Sequence, residues 1–239
     1  MKNLVTAGDD TPPVIAVIIP AFNEADSIAR VLADIPPGLV SATLVVDNNS
    51  SDATAERAGK AGATVLSEPE QGYGAACQKG VDYCNSLSRK PDILVFLDAD
   101  YADFPEEMPD LVKPITEQGY DLVIGSRVLG NKTAGALTPL QIFGNRLATR
   151  LMKLFYKTGF TDLGPFRAIR FDRLLALEMQ ERTYGWTAEM QVKAVKQGLR
   201  ICEVPVSYRA RIGRSKISGT LKGTVLAGYR ILATIFRHR

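Results

Sequence analysis

Histidine is almost absent from this chain of 239 residues, and cysteine is scarce. The one histidine, His238, is the next-to-last residue, which excludes a zinc site built on several histidines and a Ser-His-Asp triad. Three cysteines, in a chain whose first residues do not resemble a signal peptide, indicate reduced thiols in a cytosolic protein. Two of them, Cys77 and Cys84, are seven residues apart in a helical pattern and are expected to fill the core.

Acidic residues are absent after Glu203, where eight lysines and arginines follow, although the net charge of the chain is only +3. A basic ending of this kind attracts phosphates, nucleic acid or anionic lipid headgroups. A long uninterrupted apolar run is absent too, because the apolar stripe over 219–236 includes Lys222 and Arg230 and makes a poor membrane span. The stripe predicts a basic amphipathic helix that lies at a membrane interface or packs on the core.

Strand and helix patterns alternate over the first half of the chain. Apolar runs predict strands at 14–19, 43–46, 63–66, 92–97 and 121–124. Strands that are apolar throughout and separated by helices indicate a mostly parallel α/β sheet with helices on both faces.

From about Gly130 the alternation is less regular. The patterns there predict helices at 139–156 and 187–196 and strands at 165–170 and 199–206. The length favours one domain with an appendage. We therefore expect three parts: a flexible N-terminus at 1–12, one main α/β domain at 13–218 and the amphipathic helix at 219–239.

The strand predicted at 92–97 runs directly into Asp98-Ala99-Asp100. Side chains two residues apart in extended chain project to the same side, so both carboxylates point into the crevice beyond the strand. Hard oxygen ligands suit Mg²⁺ or Mn²⁺, which takes one or two carboxylates together with substrate phosphates. An Asp-rich turn without function is the alternative for an isolated motif of this type.

The motif is not isolated, because four polar loops follow predicted parallel strands. They lie at 20–24, 47–50, 98–100 and 125–127, and all four are expected at one edge of the sheet. Together they offer an aromatic ring, hydrogen-bonding groups, a metal site and a cation, which is the complement of a nucleoside diphosphate. Gly72-Tyr73-Gly74 does not follow the first strand, so a Rossmann dehydrogenase is not indicated.

Several motifs in this order resemble the family-2 glycosyltransferases with the GT-A fold, in the branch of dolichol-phosphate mannose synthase and the polyprenyl-phosphate glucosyltransferases. The resemblance extends from Val14 to the C-terminal helix. The stretches that carry it are 19–24, 46–52, 72–76, 97–100, 125–127, 162–167, 185–190 and 204–216. It implies a GT-A, Rossmann-like sheet and a metal-dependent transfer from a nucleotide sugar.

The resemblance also assigns roles to individual residues. Asp98 and Asp100 would hold Mg²⁺ or Mn²⁺, and Ala99 would meet the diphosphate between them. The donor nucleotide would be bound by Pro20, Phe22, Asn23, Glu24, Val46, Asp47, Asn48 and Gly74. The groups expected to act in the reaction are Asp100, Arg127, Arg211, Lys216 and Glu189, with the cations meeting the sugar-phosphate and the acceptor phosphate.

This sequence departs from the family pattern in three places. Asn48 stands where relatives often have a second Asp, and an amide both accepts and donates hydrogen bonds. Ala102 stands two residues past the second Asp of the pair and cannot coordinate a metal, so Asp103 or water would complete the metal shell. Many relatives end in transmembrane helices, and none is predicted from this sequence.

We expect an inverting, metal-dependent glycosyltransferase that moves a hexose from a UDP- or GDP-sugar to a polyprenyl phosphate. It would work in the cytoplasm, peripheral at the inner face of an anionic membrane, without nucleic acid, and as a homo-oligomer or with a membrane subunit. One alternative is a soluble transferase acting on a hydroxyl, with Glu189 or Asp162 as base. Another is a non-catalytic subunit that binds a sugar nucleotide or a lipid.

Overall fold

A computed structural model describes residues 12–213 and 221–238 of the chain. Its strands are short, and all of them join one sheet. They are β1 (Ile15–Ala21), β2 (Ala42–Asp47), β3 (Thr64–Ser67), β4 (Ile93–Phe96), β5 (Leu122–Ser126), β6 (Arg167–Arg170) and β7 (Ile201–Pro205). Their order across the sheet is β3-β2-β1-β4-β6-β5-β7.

Helices connect the strands. They are α1 (Ile28–Ala33), α2 (Thr54–Lys60), α3 (Tyr73–Ser86), α4 (Met108–Gln118), α5 (Pro139–Tyr156), α6 (Phe171–Ala176), α7 (Trp186–Lys196) and α8 (Leu221–Arg237), with a 3₁₀ turn at Pro105–Glu107 before α4. The predicted strands and long helices are confirmed within a few residues at each end. The short helix α6 was not predicted from the sequence.

The sheet is mostly parallel, as predicted, and β6 is the exception. It runs antiparallel to β4 on one side and to β5 on the other, while β1, β2, β3 and β4 are parallel to one another and β7 is parallel to β5. The carboxyl ends of β2, β1 and β4 therefore meet at one edge, because these strands are adjacent and point the same way.

Alternate residues of each central strand enter cores on opposite faces of the sheet. In β1, Val17 packs with α1, α2 and α4 on one face, whereas Ile18 packs with α3, α6 and α7 on the other. Cys77 and Cys84 are fully buried in the second core, which confirms their expected packing role. Burial on both faces explains why these strands are apolar throughout.

Two long helices pack together beside the sheet. Thr138 caps α5 in a reciprocal arrangement with Gln141, and Pro139 occupies the first helical position, which fixes where the helix begins. The C-terminal half of α8 packs against α5 and α7 through Ile235, which is fully buried. In the part of the chain that the structure describes, no helix has the length and apolar character needed to cross a bilayer.

Parts of the predicted organisation lie outside the described residues. The expected flexible segment at 1–12 is one, since the description begins at residue 12, and Lys216 is another. The predicted C-terminal helix is present over Leu221–Arg237, and its predicted membrane contact stays a prediction.

Candidate active site

A cleft of about 440 Å³ opens beyond the carboxyl ends of β1, β2 and β4. Its volume is that of a pocket for a small molecule such as a nucleoside diphosphate. Three of the four loops predicted to meet at this edge supply its walls, and the loop at 125–127 does not. The lining residues are Pro20, Ala21, Phe22, Glu24, Asn48, Gln71, Gly72, Tyr73, Asp98, Ala99, Asp100, Thr183, Tyr184, Arg211 and Leu226.

Asp98 and Asp100 both line the cleft, as the strand-end motif predicts. Asp100 is buried, and its Oδ1 accepts a hydrogen bond from the Ala102 amide at 2.9 Å. Burial, followed by the charge of Asp100, raises the pKa of Asp98 to about 7, although Arg211 and Arg127 oppose the rise. Two carboxylates enclosed together repel each other, and a bound cation removes that repulsion.

The two carboxylates fit a divalent ion that is coordinated by the substrate as well as by the protein. Among residues 12–213 and 221–238, no three His, Cys, Asp or Glu side chains come close enough to form a metal cage of protein groups alone. Asp103 is buried and does not line the cleft, and burial raises the pKa of its carboxyl well above its usual range. Two carboxylates with diphosphate and water completing the shell is the arrangement typical of Mg²⁺ and Mn²⁺.

Arg211 reaches the cleft from the segment after β7 and joins two of its carboxylates. Its guanidinium contacts Glu24 Oε1 at 2.6 Å and Asp100 Oδ2 at 3.2 Å. The Ile212 amide also donates to the Asp100 carbonyl oxygen at 3.0 Å, which ties this segment to the motif. The structure therefore brings Arg211 to the predicted site, where a diphosphate would compete with the carboxylates for the same cation.

Arg127 was expected to meet the sugar-phosphate, but the structure pairs it with Asp162 instead. Asp162 Oδ2 accepts from the backbone N and from Nε of Arg127, each at 2.8 Å, and Oδ1 accepts from Nη2 at 2.7 Å. Neither residue lines the cleft. Burial alone would raise the pKa of Asp162, but the Arg127 charge and hydrogen bonds lower it, which makes this carboxylate a poor base.

Glu189 lies in α7, where only 1% of its side chain is exposed. Its carboxylate accepts from the backbone amides of Gln180 and Glu181 and pairs with Lys193 at 2.8 Å. The residue is not among those that line the cleft. This placement argues against Glu189 as a base and indicates that it holds the 180–181 backbone against α7.

Asn48 organises the loop that forms one wall of the cleft. Its amide nitrogen donates to the carbonyl oxygens of Glu68 at 3.0 Å and Glu70 at 2.7 Å, and its Oδ1 accepts from the Gly72 amide at 2.8 Å. An Asp cannot donate to those two carbonyls. The departure from the family pattern thus has a structural reason here, because this loop requires a donor at position 48.

We expect Asn48→Asp to raise the Michaelis constant for the donor about tenfold or more, with a smaller effect on kcat. The change removes two hydrogen bonds and places a carboxylate opposite two carbonyl oxygens, so the 68–72 loop shifts. Steady-state kinetics with varied donor measures this, and Asn85→Asp on the exposed face of α3 is the matched control. A collapse of kcat with donor binding unchanged would contradict it.

Four residues predicted to contact the donor lie outside the cleft lining. Val46 is fully buried in the core, and Asp47 ends β2 without reaching the cleft. The side-chain Oδ1 of Asn23 accepts from the Ser51 amide at 2.8 Å, which joins two of the loops. A Cβ at Gly74 would collide with the Glu181 carbonyl oxygen, so this glycine permits close packing of two segments rather than ligand contact.

Sequence reasoning placed Arg211 at the site but missed three other lining residues from the second half of the chain. Thr183 and Tyr184 line the cleft, and so does Leu226 of α8. The segment is held in place because the Gly74 amide donates to the Thr183 carbonyl oxygen at 3.1 Å. The paired glycines at 72 and 74 were the available signal, since a Cβ at either would strike the 181–182 backbone.

A mostly parallel sheet that carries paired carboxylates at a nucleotide-sized cleft defines a glycosyltransferase of the GT-A fold. Residues 16–176 match glycosyl transferase family 2, and the chain belongs to this family. It is therefore an enzyme that transfers sugars, and the alternative of a non-catalytic subunit is not retained.

Relatives match over nearly the whole chain. An uncharacterized glycosyltransferase of Mycobacterium tuberculosis is 36% identical over 223 residues, which are 92% of this chain and 95% of that protein. A dolichyl-phosphate hexose transferase of Haloferax volcanii is 33% identical over 217 residues, 89% of this chain and 90% of that protein. These matches support the family assignment over about nine-tenths of the chain.

A solved structure has the same fold. Glucosyl-3-phosphoglycerate synthase from Mycobacterium tuberculosis, crystallised with Mn²⁺, UDP and glucosyl-3-phosphoglycerate, superposes with a TM-score of 0.76 at 24% identity. The match covers 95% of this chain and 80% of that one. At this identity the likeness establishes the fold alone.

Proposed function

We propose that this glycosyltransferase moves a hexose, with inversion, from a UDP- or GDP-sugar to a polyprenyl phosphate at the cytoplasmic face of a membrane. Asp98 and Asp100 would hold Mg²⁺ or Mn²⁺ against the donor diphosphate. When bound, such an ion stabilises the negative charge that develops on the leaving diphosphate. Phe22 and the loop held by Asn48 would enclose the nucleoside.

The observation that carries the acceptor proposal is the set of carboxylates in the cleft. Among the described residues, Glu24, Asp98 and Asp100 are the ones that line it. Glu24 accepts hydrogen bonds from Arg211 at 2.6 Å and from Ser27 at 3.0 Å, and the other two form the metal pair. A hydroxyl acceptor requires a base to take its proton, whereas an acceptor that is already an anion requires only cations to position it.

Two further facts support a phosphate acceptor. Arg211 lies between Glu24 and Asp100, where it can meet an incoming anion. A relative that matches nine-tenths of this chain is named for transfer to dolichyl phosphate. Arg127 serves in this proposal by fixing, through Asp162, the loop that follows β5, and Lys216 is retained as a second cation for the acceptor.

A water-soluble acceptor is the second candidate, and one comparison favours it. The neighbour in fold has been solved with phosphoglyceric acid, a small anion. Both candidates supply an anionic group, so the cations of the cleft do not distinguish them by themselves.

The deciding experiment compares acceptors under otherwise equal conditions. UDP- and GDP-hexoses with Mn²⁺ or Mg²⁺ are incubated with a polyprenyl phosphate, with the corresponding free alcohol and with phosphoglyceric acid. We expect transfer to the polyprenyl phosphate and none to the alcohol, since the alcohol lacks both the charge and a base to activate it. Transfer to the alcohol or to the soluble acid alone would overturn the acceptor proposal.

A further inference from the structure

Two long segments of the chain contain none of its 26 acidic residues. One spans 122–161 and includes α5, and the other spans 204–239 and includes α8. The first segment carries six lysines and arginines and the second carries eight. The charge pattern thus separates these two parts of the chain from the rest of it.

The fold brings the two acid-free segments together. The ring of Phe155 in α5 lies 5.3 Å from the ring of Phe236 in α8. The Tyr156 hydroxyl donates to the Ile235 carbonyl oxygen at 2.5 Å, and Met152 packs with Ile235 in a shared core. The α5–α8 surface, defined as the exposed side chains of these two helices, therefore lacks negative charge throughout its described residues.

Large apolar side chains are exposed along α5 in a regular row. Leu140, Phe143, Leu147 and Leu154 are spaced three, four and seven residues apart, which places them on one face of the helix. Phe143 is 62% exposed and Leu154 is 71% exposed. A row of this kind on a helix in water is unfavourable unless something covers it.

A row of cations lies beside the apolar row. Arg146, Arg150 and Lys153 are exposed and follow one another at intervals of four and three residues. On α8, Val225 and Tyr229 are exposed together with Arg230. Apolar side chains flanked by arginine and lysine, without acidic residues, are the composition of helices that lie in the headgroup region of an anionic bilayer.

The α5–α8 surface adjoins the cleft. Leu226 of α8 lines the cleft and is also partly exposed, and the loop that leads into α5 begins at the end of β5, on the same edge of the sheet. A lipid whose phosphate enters the cleft would have its chain directed along this surface.

We infer that α5, together with α8, forms a docking surface for an anionic lipid bilayer, with the apolar row of α5 inserted among the headgroups. The inference rests on the proposed function, because a lipid acceptor is the reason for contact with a membrane. Its evidence is the charge and the exposure of the side chains on α5 and α8. It assigns α5 a contact with the membrane in addition to the one predicted for the C-terminal helix.

The test is flotation of the full chain with lipid vesicles. One set is pure phosphatidylcholine, and the other contains about one third phosphatidylglycerol. We expect binding to the anionic vesicles only, weakening as salt rises because exposed charges are screened. Phe143→Ser or Leu154→Ser should each reduce binding roughly tenfold, and Arg150→Gln about fivefold, near the contribution of one charge at such a surface.

Matched controls lie elsewhere on the molecule. Leu175→Ser on α6 removes an exposed leucine, and Lys79→Gln on α3 removes an exposed cation, so both should bind like the wild-type chain. Thermal melts confirm that each variant is folded. Unchanged binding of the α5 variants, binding independent of the anionic lipid, or no binding of the wild-type chain would each overturn the inference.

An activity measurement separates this inference from the proposed function. With polyprenyl phosphate in neutral detergent, the α5 variants should transfer sugar like the wild type, and in anionic vesicles they should lose most of the transfer. If the variants lose vesicle binding and the wild type uses no polyprenyl phosphate, the docking surface stands and the acceptor proposal falls. If transfer occurs but no variant affects it in vesicles, the docking surface falls alone.

Discussion

Replacing Asp100 with Asn is expected to abolish metal-dependent transfer in a protein that stays folded. The amide keeps the shape and can still accept from the Ala102 amide, but it removes the charge that would hold the ion. Stabilisation of a leaving diphosphate by a metal contributes several kcal/mol, so turnover should fall by about a thousandfold or more. Steady-state rates with Mn²⁺ and Mg²⁺ measure the loss.

Binding measurements separate the metal role from simple damage to the cleft. Calorimetric titration of Mn²⁺ in the presence of UDP should give weak or no binding for Asp100→Asn and clear binding for Asp110→Asn, an exposed control on α4. The melting temperature should remain close to that of the wild type. Near wild-type activity of Asp100→Asn with metal present would remove Asp100 from the site.

Asp162→Asn is expected to produce a large loss of stability. Asp162 is almost fully buried and joined to Arg127 by three contacts of 2.7 to 2.8 Å. Removing one charge of a buried pair leaves the other uncompensated, which costs about 3 to 5 kcal/mol. For a domain of this size that corresponds to a fall in melting temperature of roughly 6 to 20 °C.

The matched control is Asp172→Asn, which removes the carboxylate of an exposed Arg–Asp pair. Arg170 and Asp172 lie 3.1 Å apart but are 44% and 58% exposed, so their pair contributes at most about 1 kcal/mol. Urea unfolding of both variants and the wild type gives the two differences in free energy. Similar small losses for both would contradict a structural role for the Arg127–Asp162 pair.

Acid should reduce the difference in unfolding free energy between Asp162→Asn and the wild type. The pKa of Asp162 is lowered in the folded protein, so its contribution is complete above the ordinary Asp value of about 3.9. It is lost as the pH falls below that value and through the folded pKa. The gap in unfolding free energy should therefore be constant at neutral pH and narrow in acid.

Much of the fold was predictable because burial on both faces leaves a plain record in the sequence. Continuous apolar runs located β1, β2 and β4, and the amphipathic pattern over 139–156 located α5. The antiparallel direction of β6 was not predictable. A strand of four residues carries no information about which strands it will pair with or in which direction it will run. The six-residue helix α6 was missed because it is too short to display a period.

Some residues of the site were predictable from the sequence and others were not. Residues in loops that directly follow a parallel strand, such as Phe22 and Asp98, line the cleft as predicted. Arg127 does not, because its position is decided by a carboxylate 35 residues away in the chain. Glu189 likewise takes its role from backbone amides of a preceding turn. The sequence shows where a charged residue is, but not which group it will contact in the folded chain.

The position of β5 between β6 and β7 affects how the chain folds while it is being synthesised. Both neighbours of β5, namely β6 and β7, lie later in the sequence, so β5 leaves the ribosome with no strand to pair with. At typical rates of synthesis, roughly 5 to 20 residues per second, its hydrogen-bonding edges stay open for about 2 to 8 s before β6 is translated. Open edges of an apolar strand invite pairing between chains. During synthesis β5 is therefore open to pairing with other chains until Arg167–Arg170 joins β4 to β5.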